Sequence, residues 1–394
     1  MKRVIDYLSL GKVGLLEMLL ASTLMLGGFS LAGIPLMLLM WPIMVVVLLI
    51  KGSFRIKLFR PLLVYVFFWF IHEAVIFVID SNYIINALIG QLVYFVGFFC
   101  LYSHLDVNKL RGSFNWIALI SIAGLLYQWS IILRGGVVSP LGIPGLVMPD
   151  NRLVQEIPRP SSFFMEPAAY VSFMMIPLLF AIIDRKYVWM IIIILSIFLT
   201  TSTTGILGVF IMLLAGLFIF KKINRSTIAI ILIGGVLAYV LFNSVFFEYG
   251  VEKLFQTESG TNEHRLEQGI YVVSTMKPQE MILGVPYSSA AHYCLSGRAG
   301  NVAVYGSGAD SVVNMSTFWL ILLRFGIVGL LLYLNIYLYL FRRSKKVLPL
   351  LAFMLAVMFS SAHSTGLTYI VSLLVMCSIC DERVQRTRGP LIPE

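Results

Sequence analysis

Charged residues are scarce in this chain of 394 residues, where Asp, Glu, Lys and Arg together make up 12%. A soluble domain carries about 25% charged and about 45–50% apolar residues, whereas this sequence is 59% hydrophobic. Such an apolar excess is too large to bury inside one water-soluble core. The composition therefore excludes a soluble enzyme, a nucleic-acid-binding domain and a disordered chain, and it indicates a membrane protein.

Cysteine is also rare, with four residues in the chain. Cys100, Cys377 and Cys380 fall in or near apolar stretches and Cys294 stands alone in a predicted outer loop, so we expect no internal disulfide. The single Cys377-x-x-Cys380 pair is interpreted as packing. The few His and Asp residues are scattered, without Asp-x-Asp or His-x-x-x-His spacing, and we therefore expect neither a metal nor a cofactor.

Long apolar runs dominate the sequence, and a run of about 20 residues can cross a bilayer as a helix. Residues 13–50 are interrupted near Gly27–Pro35 and predict two helices. Residues 188–220 are interrupted by polar residues and predict two short helices, with one tilted helix or a re-entrant pair as the alternative. About twelve spans result: two within 13–50, then 62–79, 83–102, 114–133, 167–183, 188–200, 204–220, 227–243, 317–340, 347–361 and 366–380.

These spans predict an all-α polytopic membrane protein with a single transmembrane domain over 1–394, because helices satisfy their own backbone hydrogen bonds in lipid. Of the 29 Lys and Arg residues, 21 lie in segments that are inside if the N-terminus is cytoplasmic, 7 lie outside, and Arg324 lies within a span. This asymmetry predicts cytoplasmic N- and C-termini. The net charge of +10 is therefore interpreted as topology and contact with membrane lipids, not as a nucleic-acid surface.

Two of the predicted outer loops are long, over 134–166 and 244–316. Loops of this length within a compact domain are usually functional or disordered, and the second loop carries enough apolar residues to pack onto the helices. Within it, Leu266, Ile270 and Val273 recur at helical spacing. This spacing predicts an amphipathic helix over 262–276 that lies across the membrane surface.

The first loop ends with the segment Arg159–Pro167, in which two prolines frame an irregular stretch at the outer membrane face. This segment would display Arg159 and Glu166, with two phenylalanines between them inserted into lipid. The alternative interpretation is an arginine held by lipid headgroups, with Glu166 as its structural partner.

The second loop carries Glu263, His264 and Arg265, and Arg265 shares a helix face with Gly269, where a ligand could approach the backbone. The alternative is a solvated helix face. Further polar and glycine residues follow in this loop: His292, Arg298, Gly306, Gly308 and Asp310. Gly306-x-Gly308 alone is a weak phosphate-loop signal.

Four ionisable residues, His72, Glu73, Arg324 and His363, fall at or near membrane depth, where such groups are costly and usually functional. Arg324 lies seven residues into its span, roughly 10 Å deep at 1.5 Å per residue, the depth of a lipid diphosphate. The alternative for Arg324 is a buried pair with a carboxylate such as Glu73. His72 and Glu73 would also suit a proton-coupled carrier, and His363 falls at the turn between the last two spans.

Several short motifs resemble, in their order and topology, those of the O-antigen polymerases (Wzy) of the O-antigen ligase/polymerase superfamily. The motifs are Arg159–Pro167, the turn Ser202-Thr203-Thr204-Gly205-Ile206-Leu207, Arg265 in a large outer loop, and Asn314 followed by Phe325-Gly326-Ile327-Val328-Gly329. The resemblance covers about residues 110 to 380. Thr203 stands where many relatives have arginine. Val313 stands where the ligases have histidine, which favours a polymerase over a ligase.

The resemblance implies a GT-C-like fold in the bacterial inner membrane, with the two large loops in the periplasm. It also implies a glycosyltransferase that polymerises undecaprenyl-diphosphate-linked oligosaccharides into O-antigen of lipopolysaccharide or a related polysaccharide. Whether a chain-length regulator protein binds as a partner stays open.

Transfer from a lipid diphosphate needs cations at the leaving group, and arginine binds phosphate with a planar fork of donors. The candidates for gripping the diphosphates are Arg159, Arg265, Arg298 and Arg324. The acceptor hydroxyl also needs a general base. The candidates are Glu166, Glu263, His264, His292 and Asp310, of which Glu166 is favoured because it lies beside Arg159. We therefore expect metal-independent transfer with Glu166, Arg159, Arg265 and His292 in the catalytic site.

Two other classes of function stay open. A flippase for lipid-linked oligosaccharides would line a midplane cavity with charge, usually with short outer loops and an internal repeat, and no repeat is evident here. A structural component of a polysaccharide export complex would not require arginines at the outer face.

Overall fold

The computed structural model describes residues 11–50, 56–80, 83, 85–148, 159–219, 235, 239, 262–299, 302, 304–305, 312–313, 315–360 and 366–388, and these are predominantly helical. Two two-stranded antiparallel hairpins accompany the helices: β1 (Ser30–Leu31) with β2 (Ile34–Pro35), and β3 (Val304–Tyr305) with β4 (Val312–Val313). The predicted span 227–243 lies almost entirely outside the described residues.

The helices of the first half follow the apolar runs. They are α1 (Leu15–Met25), α2 (Leu36–Ile50), α3 (Arg60–Ile79), α4 (Ile85–Leu101), α5 (Val107–Ile132), α6 (Pro167–Asp184), α7 (Tyr187–Phe198) and α8 (Thr203–Leu217). The predicted pair of helices within 13–50 is confirmed, because β1 and β2 form the turn between α1 and α2.

The second half begins with helices of the large outer loop and ends with apolar ones. They are α9 (Asn262–Ser274), α10 (Pro278–Leu283), α11 (Ala290–Tyr293), α12 (Thr317–Arg343), α13 (Leu348–Ser360) and α14 (Leu367–Arg388). A π-helical turn, Cys294–Arg298, continues directly from α11.

Four of the described helices, α3, α5, α6 and α12, are long and apolar enough to cross a membrane, and several shorter apolar helices pack beside them. An all-α, membrane-embedded protein is therefore the architecture that the chain adopts. The helix at 114–133 is longer than predicted, because Asp106 caps it and accepts from the N–H groups of Asn108 (2.8 Å) and Lys109 (3.1 Å).

The interruption near residue 200 separates α7 from α8, as predicted. Thr201 adopts φ +54°, a left-handed conformation that ends the first helix. Trp129 Nε1 of α5 donates to the Leu199 carbonyl at 3.0 Å, which satisfies an acceptor at the helix end. One continuous tilted helix over 188–220 is thus excluded.

Charged residues at the start of α3 and α5 and at the end of α6, α12 and α14 form ion pairs. Asp381 binds Lys57 and also lies 3.5 Å from Arg343, whereas Asp184 Oδ2 forms an ion pair with Arg111, 2.8 Å from its Nε. The end of the molecule that carries most of the predicted cytoplasmic basic residues is therefore held together by carboxylates. The two long loops begin or end at the opposite helix termini.

The predicted helix over 262–276 is present as α9, but its buried face differs from the expected one. Ile270 is exposed, whereas Gln268, Gly269, Val272 and Val273 are buried. A Cβ at Gly269 would overlap the Trp319 side chain of α12. This glycine therefore serves helix–helix packing and is not available for the approach of a ligand.

Candidate functional site

Helix α12 is broken in its N-terminal half, beside Arg324. Gly326 has φ +63° and ψ −169°, a conformation that only glycine adopts readily. The break frees the Leu323 carbonyl, which accepts from the Val285 N–H at 2.9 Å. The loop after α10 thus docks into the break, and a Cβ at either Gly284 or Gly326 would overlap the backbone of the other segment.

Arg324 of α12 binds Glu73 of α3, so the alternative interpretation of Arg324 as part of a buried ion pair is confirmed. Arg324 Nη2 donates to Glu73 Oε1 at 2.5 Å, and Tyr83 Oη donates to Glu73 Oε2 at 2.6 Å. His72 Nδ1 lies 3.9 Å from Glu73 Oε1, and its ring packs against Phe325 with centroids 5.0 Å apart. Both oxygens of the carboxylate are therefore engaged.

The two members of this pair differ in exposure. Glu73 is 2% exposed, whereas the side chain of Arg324 is 30% exposed. Arg324 Nε is buried and has no hydrogen-bond partner among the described residues. Buried donors are nearly always hydrogen-bonded, and this guanidinium has capacity for a further acceptor.

Asp80 follows directly after α3 and holds His292. Asp80 Oδ2 accepts from the Ser288 N–H at 2.8 Å and lies 3.1 Å from His292 Nδ1. Ser289 caps α11 by accepting from the His292 N–H, which fixes the backbone at the histidine. Because Nδ1 faces the carboxylate, Nε2 is the basic nitrogen of the neutral ring.

Glu73 of α3 and Asp80, the residue directly after this helix, are seven residues apart, about 10 Å along the helix axis. Each binds a cationic or ionisable side chain supplied by the region between Val285 and Arg324. The site therefore consists of an imidazole at the end of α3 and a guanidinium two turns deeper.

Arg298 lies on the π-helical turn and binds Glu280 of α10. The second oxygen of Glu280 accepts from the Lys277 N–H at 2.8 Å. Burial raises the pKa of Glu280, but the Lys277 N–H and Arg298 outweigh it and hold this pKa below its ordinary value. Arg298, like Arg324, is thus paired with a carboxylate.

The first loop is organised by Gln128 of α5. Its Oε1 accepts from the N–H groups of Ser161 (3.0 Å) and Ser162 (2.7 Å), and its Nε2 donates to the Ser139 carbonyl at 2.6 Å. Leu141 N–H donates to the Ser162 carbonyl at 2.8 Å. These bonds join both ends of the described part of the loop.

The segment Arg159–Pro167 is irregular, as expected, and Glu166 immediately precedes α6 with Pro167 as its first residue. The expectation that both phenylalanines insert into lipid is wrong for Phe164. This side chain is 2% exposed and packs edge-on against Tyr170, with centroids 5.4 Å apart. Arg159 and Glu166 thus belong to the entry of α6, an element separate from the pairs on α3.

Several predicted site residues cannot be placed. Arg265, Glu263 and His264 belong to α9, and their side chains are outside the described part of the structure. Five further residues of the sequence analysis lie outside the described residues: Gly306, Gly308, Asp310, Asn314 and His363. The described residues include no group of three His, Cys, Asp or Glu side chains that could hold a metal ion.

Sequence reasoning missed Asp80, Glu280, Tyr83 and Gln128. Asp80 could have been noticed as a lone carboxylate directly after an apolar span. Gln128 could have been noticed as an amide within one. Glu280 had no distinguishing signal, because it is one of several acidic residues in a long loop.

No protein-family model matches the chain, and no curated protein matches it. The proposed function therefore rests on the geometry around α3.

Proposed function

We propose that the chain is a membrane glycosyltransferase of the O-antigen polymerase type. It joins undecaprenyl-diphosphate-linked oligosaccharide repeat units at the periplasmic face of the bacterial inner membrane. This proposal includes about twelve spans in a GT-C-like arrangement and cytoplasmic N- and C-termini.

The observation that carries the proposal is the order, along the axis of α3, of two groups that carboxylates in and directly after this helix hold. His292, held by Asp80, lies at the end of the helix, and Arg324, paired with Glu73, lies about 10 Å deeper. A lipid diphosphate presents the same order, because its phosphates lie near the membrane interface and its sugar extends outward. The imidazole would then face the sugar and the guanidinium would face the diphosphate.

In the proposed reaction, an acceptor hydroxyl oxygen forms a bond to the anomeric carbon of the donor sugar, and its proton passes to His292 Nε2. The bond between the anomeric carbon and the diphosphate oxygen breaks, and its electron pair leaves with the lipid diphosphate. Arg324 stabilises the negative charge that develops there. We favour His292 over Glu166 as the base because a buried carboxylate orients its ring.

The remaining arginines take supporting roles in this proposal. Arg159 and Arg265 stay candidates for contact with the second diphosphate, since transfer between two lipid-linked chains brings two such groups to the enzyme. Arg298 is assigned to holding α10 against the π-helical turn through Glu280. Transfer is proposed to be metal-independent, with guanidinium groups in the place of a cation.

The experiment replaces the chromosomal copy with Arg324→Ala, His292→Ala or Asp80→Asn and displays the surface polysaccharide on a gel. Each variant should lose the long ladder and keep a single capped repeat. For Asp80→Asn, transfer by the purified enzyme should fall on the order of 10²-fold in kcat, with KM for the lipid-linked donor unchanged, because Asp80 acts only through His292.

Arg343→Ala is the matched control, because this arginine also pairs with a carboxylate, Asp381, but at the opposite end of the molecule. Its ladder should be unchanged. Complete loss of surface repeats in the site variants would indicate flipping in place of polymerisation. An unchanged ladder in all three would overturn the proposal.

A further inference from the structure

The ion pair between Arg324 and Glu73 has no net charge. The guanidinium reaches a 30% exposed position, but the carboxylate beside it already supplies one negative charge. A dianionic group that approaches Arg324 therefore meets a neutral pair. Since Nη2 is bound to Glu73 and Nε is buried without a hydrogen-bond partner among the described residues, an incoming oxygen can reach only the exposed part of the Arg324 side chain.

Full engagement of the guanidinium by a second anion would leave Glu73 without its cation. A buried ionised carboxylate without a partner is strongly unfavourable, and such groups become neutral by binding a proton. The titratable and charged groups that face Glu73 are Arg324 from α12, Tyr83 from the connection after α3, and His72 and Tyr65 on α3 itself. Asp80 lies two turns away. Apart from Arg324, none of these carries a permanent positive charge.

His72 is the residue best placed to bind this proton together with Glu73. Its Nδ1 lies 3.9 Å from Glu73 and is buried without a hydrogen-bond partner among the described residues. A proton bound by either residue would compensate for the lost ion pair with Arg324. The pair would then contain either a neutral carboxylic acid or an imidazolium beside the carboxylate.

We propose that Glu73 occupies the place of the lipid diphosphate on Arg324, and that the diphosphate exchanges with it while the His72–Glu73 pair takes up one proton from solution. This inference rests on the proposed function, because it concerns the same diphosphate site. When the lipid diphosphate leaves, Glu73 returns to Arg324 and the proton is released. Glu73 is thus a positioning residue that keeps the empty site neutral.

The test titrates farnesyl diphosphate, a short lipid diphosphate, into the purified full chain in a non-ionic detergent. Calorimetry at pH 8 in two buffers of different ionisation enthalpy counts the protons bound. The wild type should take up close to one proton per ligand. Glu73→Gln should take up none and should bind on the order of tenfold more tightly, because no carboxylate competes for the guanidinium.

Glu280→Gln is the matched control, since it also neutralises a carboxylate that pairs with an arginine, and it should keep the wild-type proton uptake. Tyr83→Phe is a second variant in case Glu73→Gln does not fold. It removes a hydrogen bond to the ionised carboxylate and should also tighten binding. Farnesol and inorganic diphosphate separate the contributions of the tail and the diphosphate, and binding of farnesol alone would overturn the proposal.

Weaker binding by Glu73→Gln, or wild-type proton uptake in that variant, would overturn the exchange. So would the absence of binding by the wild type. The polysaccharide ladder distinguishes this failure from failure of the proposed function: an Arg324→Ala variant that loses the ladder while Glu73→Gln shows no change in binding leaves the glycosyltransferase in place and removes only the exchange.

Discussion

Two arginines of the candidate site are held by carboxylates from other segments of the chain. Arg324 binds Glu73, and Arg298 binds Glu280. Removing one partner of such a pair leaves the other charge partly buried and uncompensated, which costs more than the pair itself contributes. These carboxylates therefore stabilise the site in its empty form, and their effect must depend on pH.

The pair between Glu280 and Arg298 gives a pH prediction. The pKa of Glu280 is held below its ordinary value of 4.5, because contacts with the Lys277 N–H and Arg298 outweigh burial. The stabilisation is thus complete above the unfolded pKa and is lost as pH falls through the folded one. Glu280→Gln should lower stability at pH 7 by about 1 kcal/mol, because the pair is partly exposed.

The measurement is the thermal midpoint of both proteins in detergent from pH 7 down to pH 3.5. The difference between them should be constant near neutral pH and should shrink at the acidic end. Glu267→Gln serves as the control, since Glu267 is an exposed residue of the adjacent α9. A difference that grows on acidification would contradict the assigned direction of the shift.

At the residue level, the sequence predicts which side chains are functional candidates better than it predicts which residues they contact. Arg324 was identified by its depth within an apolar span, and Glu73 was already considered as its partner. Asp80 was not, because charged residues are ordinary at the ends of spans and nothing local to residues 78–82 indicates that His292, more than 200 residues later, folds against it. Contacts of that sequence separation depend on how the whole loop packs.

The break in α12 is the element that positions the guanidinium. Gly326 turns the chain so that the loop after α10 can donate to the Leu323 carbonyl, and Gly284 lets that loop approach the backbone of Arg324. Irregular backbone at membrane depth is tolerated where it is buried in protein and its polar groups are satisfied. The site is therefore built on a helix that the loop completes.

Gly326→Ala should destabilise the protein by about 1–3 kcal/mol, because alanine is strained at this positive φ and its Cβ would overlap the Ile282 carbonyl. The variant should also lose the polysaccharide ladder, since Arg324 would be displaced. Thermal melting of the purified protein in detergent measures the first effect and the surface polysaccharide gel the second.

Gly142→Ala is the control for this substitution, because no atom lies within 4 Å of its added Cβ and its φ is ordinary. It should melt like the wild type. If Gly326→Ala also melts like the wild type, the close docking of α10 onto α12 is not a feature of the folded protein.

Apolar runs predict where a helix forms, but they do not predict which of its faces is buried. The spacing of Leu266, Ile270 and Val273 correctly predicted α9, yet Ile270 is exposed and Gly269 faces α12. A small residue can face a neighbouring helix because it leaves room for a large partner such as Trp319. The hydrophobic pattern was therefore right for Val273, which is buried, and wrong for Ile270. The same limit applies to Phe164, which packs in the core.

Across the whole molecule, the two kinds of helix end carry different sets of groups. One end gathers Lys57, Arg111 and Arg343 with two aspartates, and the other gathers the pairs on α3 and the described parts of both long loops. The count of basic residues predicts that the end with Lys57, Arg111 and Arg343 is cytoplasmic, and this orientation stays a prediction.

The number of membrane crossings is harder to predict from the sequence, because α7 and α8 contain only 12 and 15 residues. At 1.5 Å per residue they measure about 18 Å and about 22 Å, both shorter than the hydrocarbon core of about 30 Å. Either each crosses with the help of its flanking residues, or the two form a re-entrant pair. In both arrangements the chain is on the predicted cytoplasmic side after α8. If α7 and α8 together crossed the membrane only once, the chain would be on the opposite side after α8.

Fusions of alkaline phosphatase, which is active only in an oxidising compartment, distinguish these arrangements. We expect activity for fusions after Gly142 and Ser296 and none after Lys186, Lys222 and Ser344. An active fusion after Lys222 would mean that α7 and α8 cross together once. An inactive fusion after Ser296 would place His292 and Arg298 in the cytoplasm, away from the sugar ends of periplasmic donors, and the proposed transfer could not occur there.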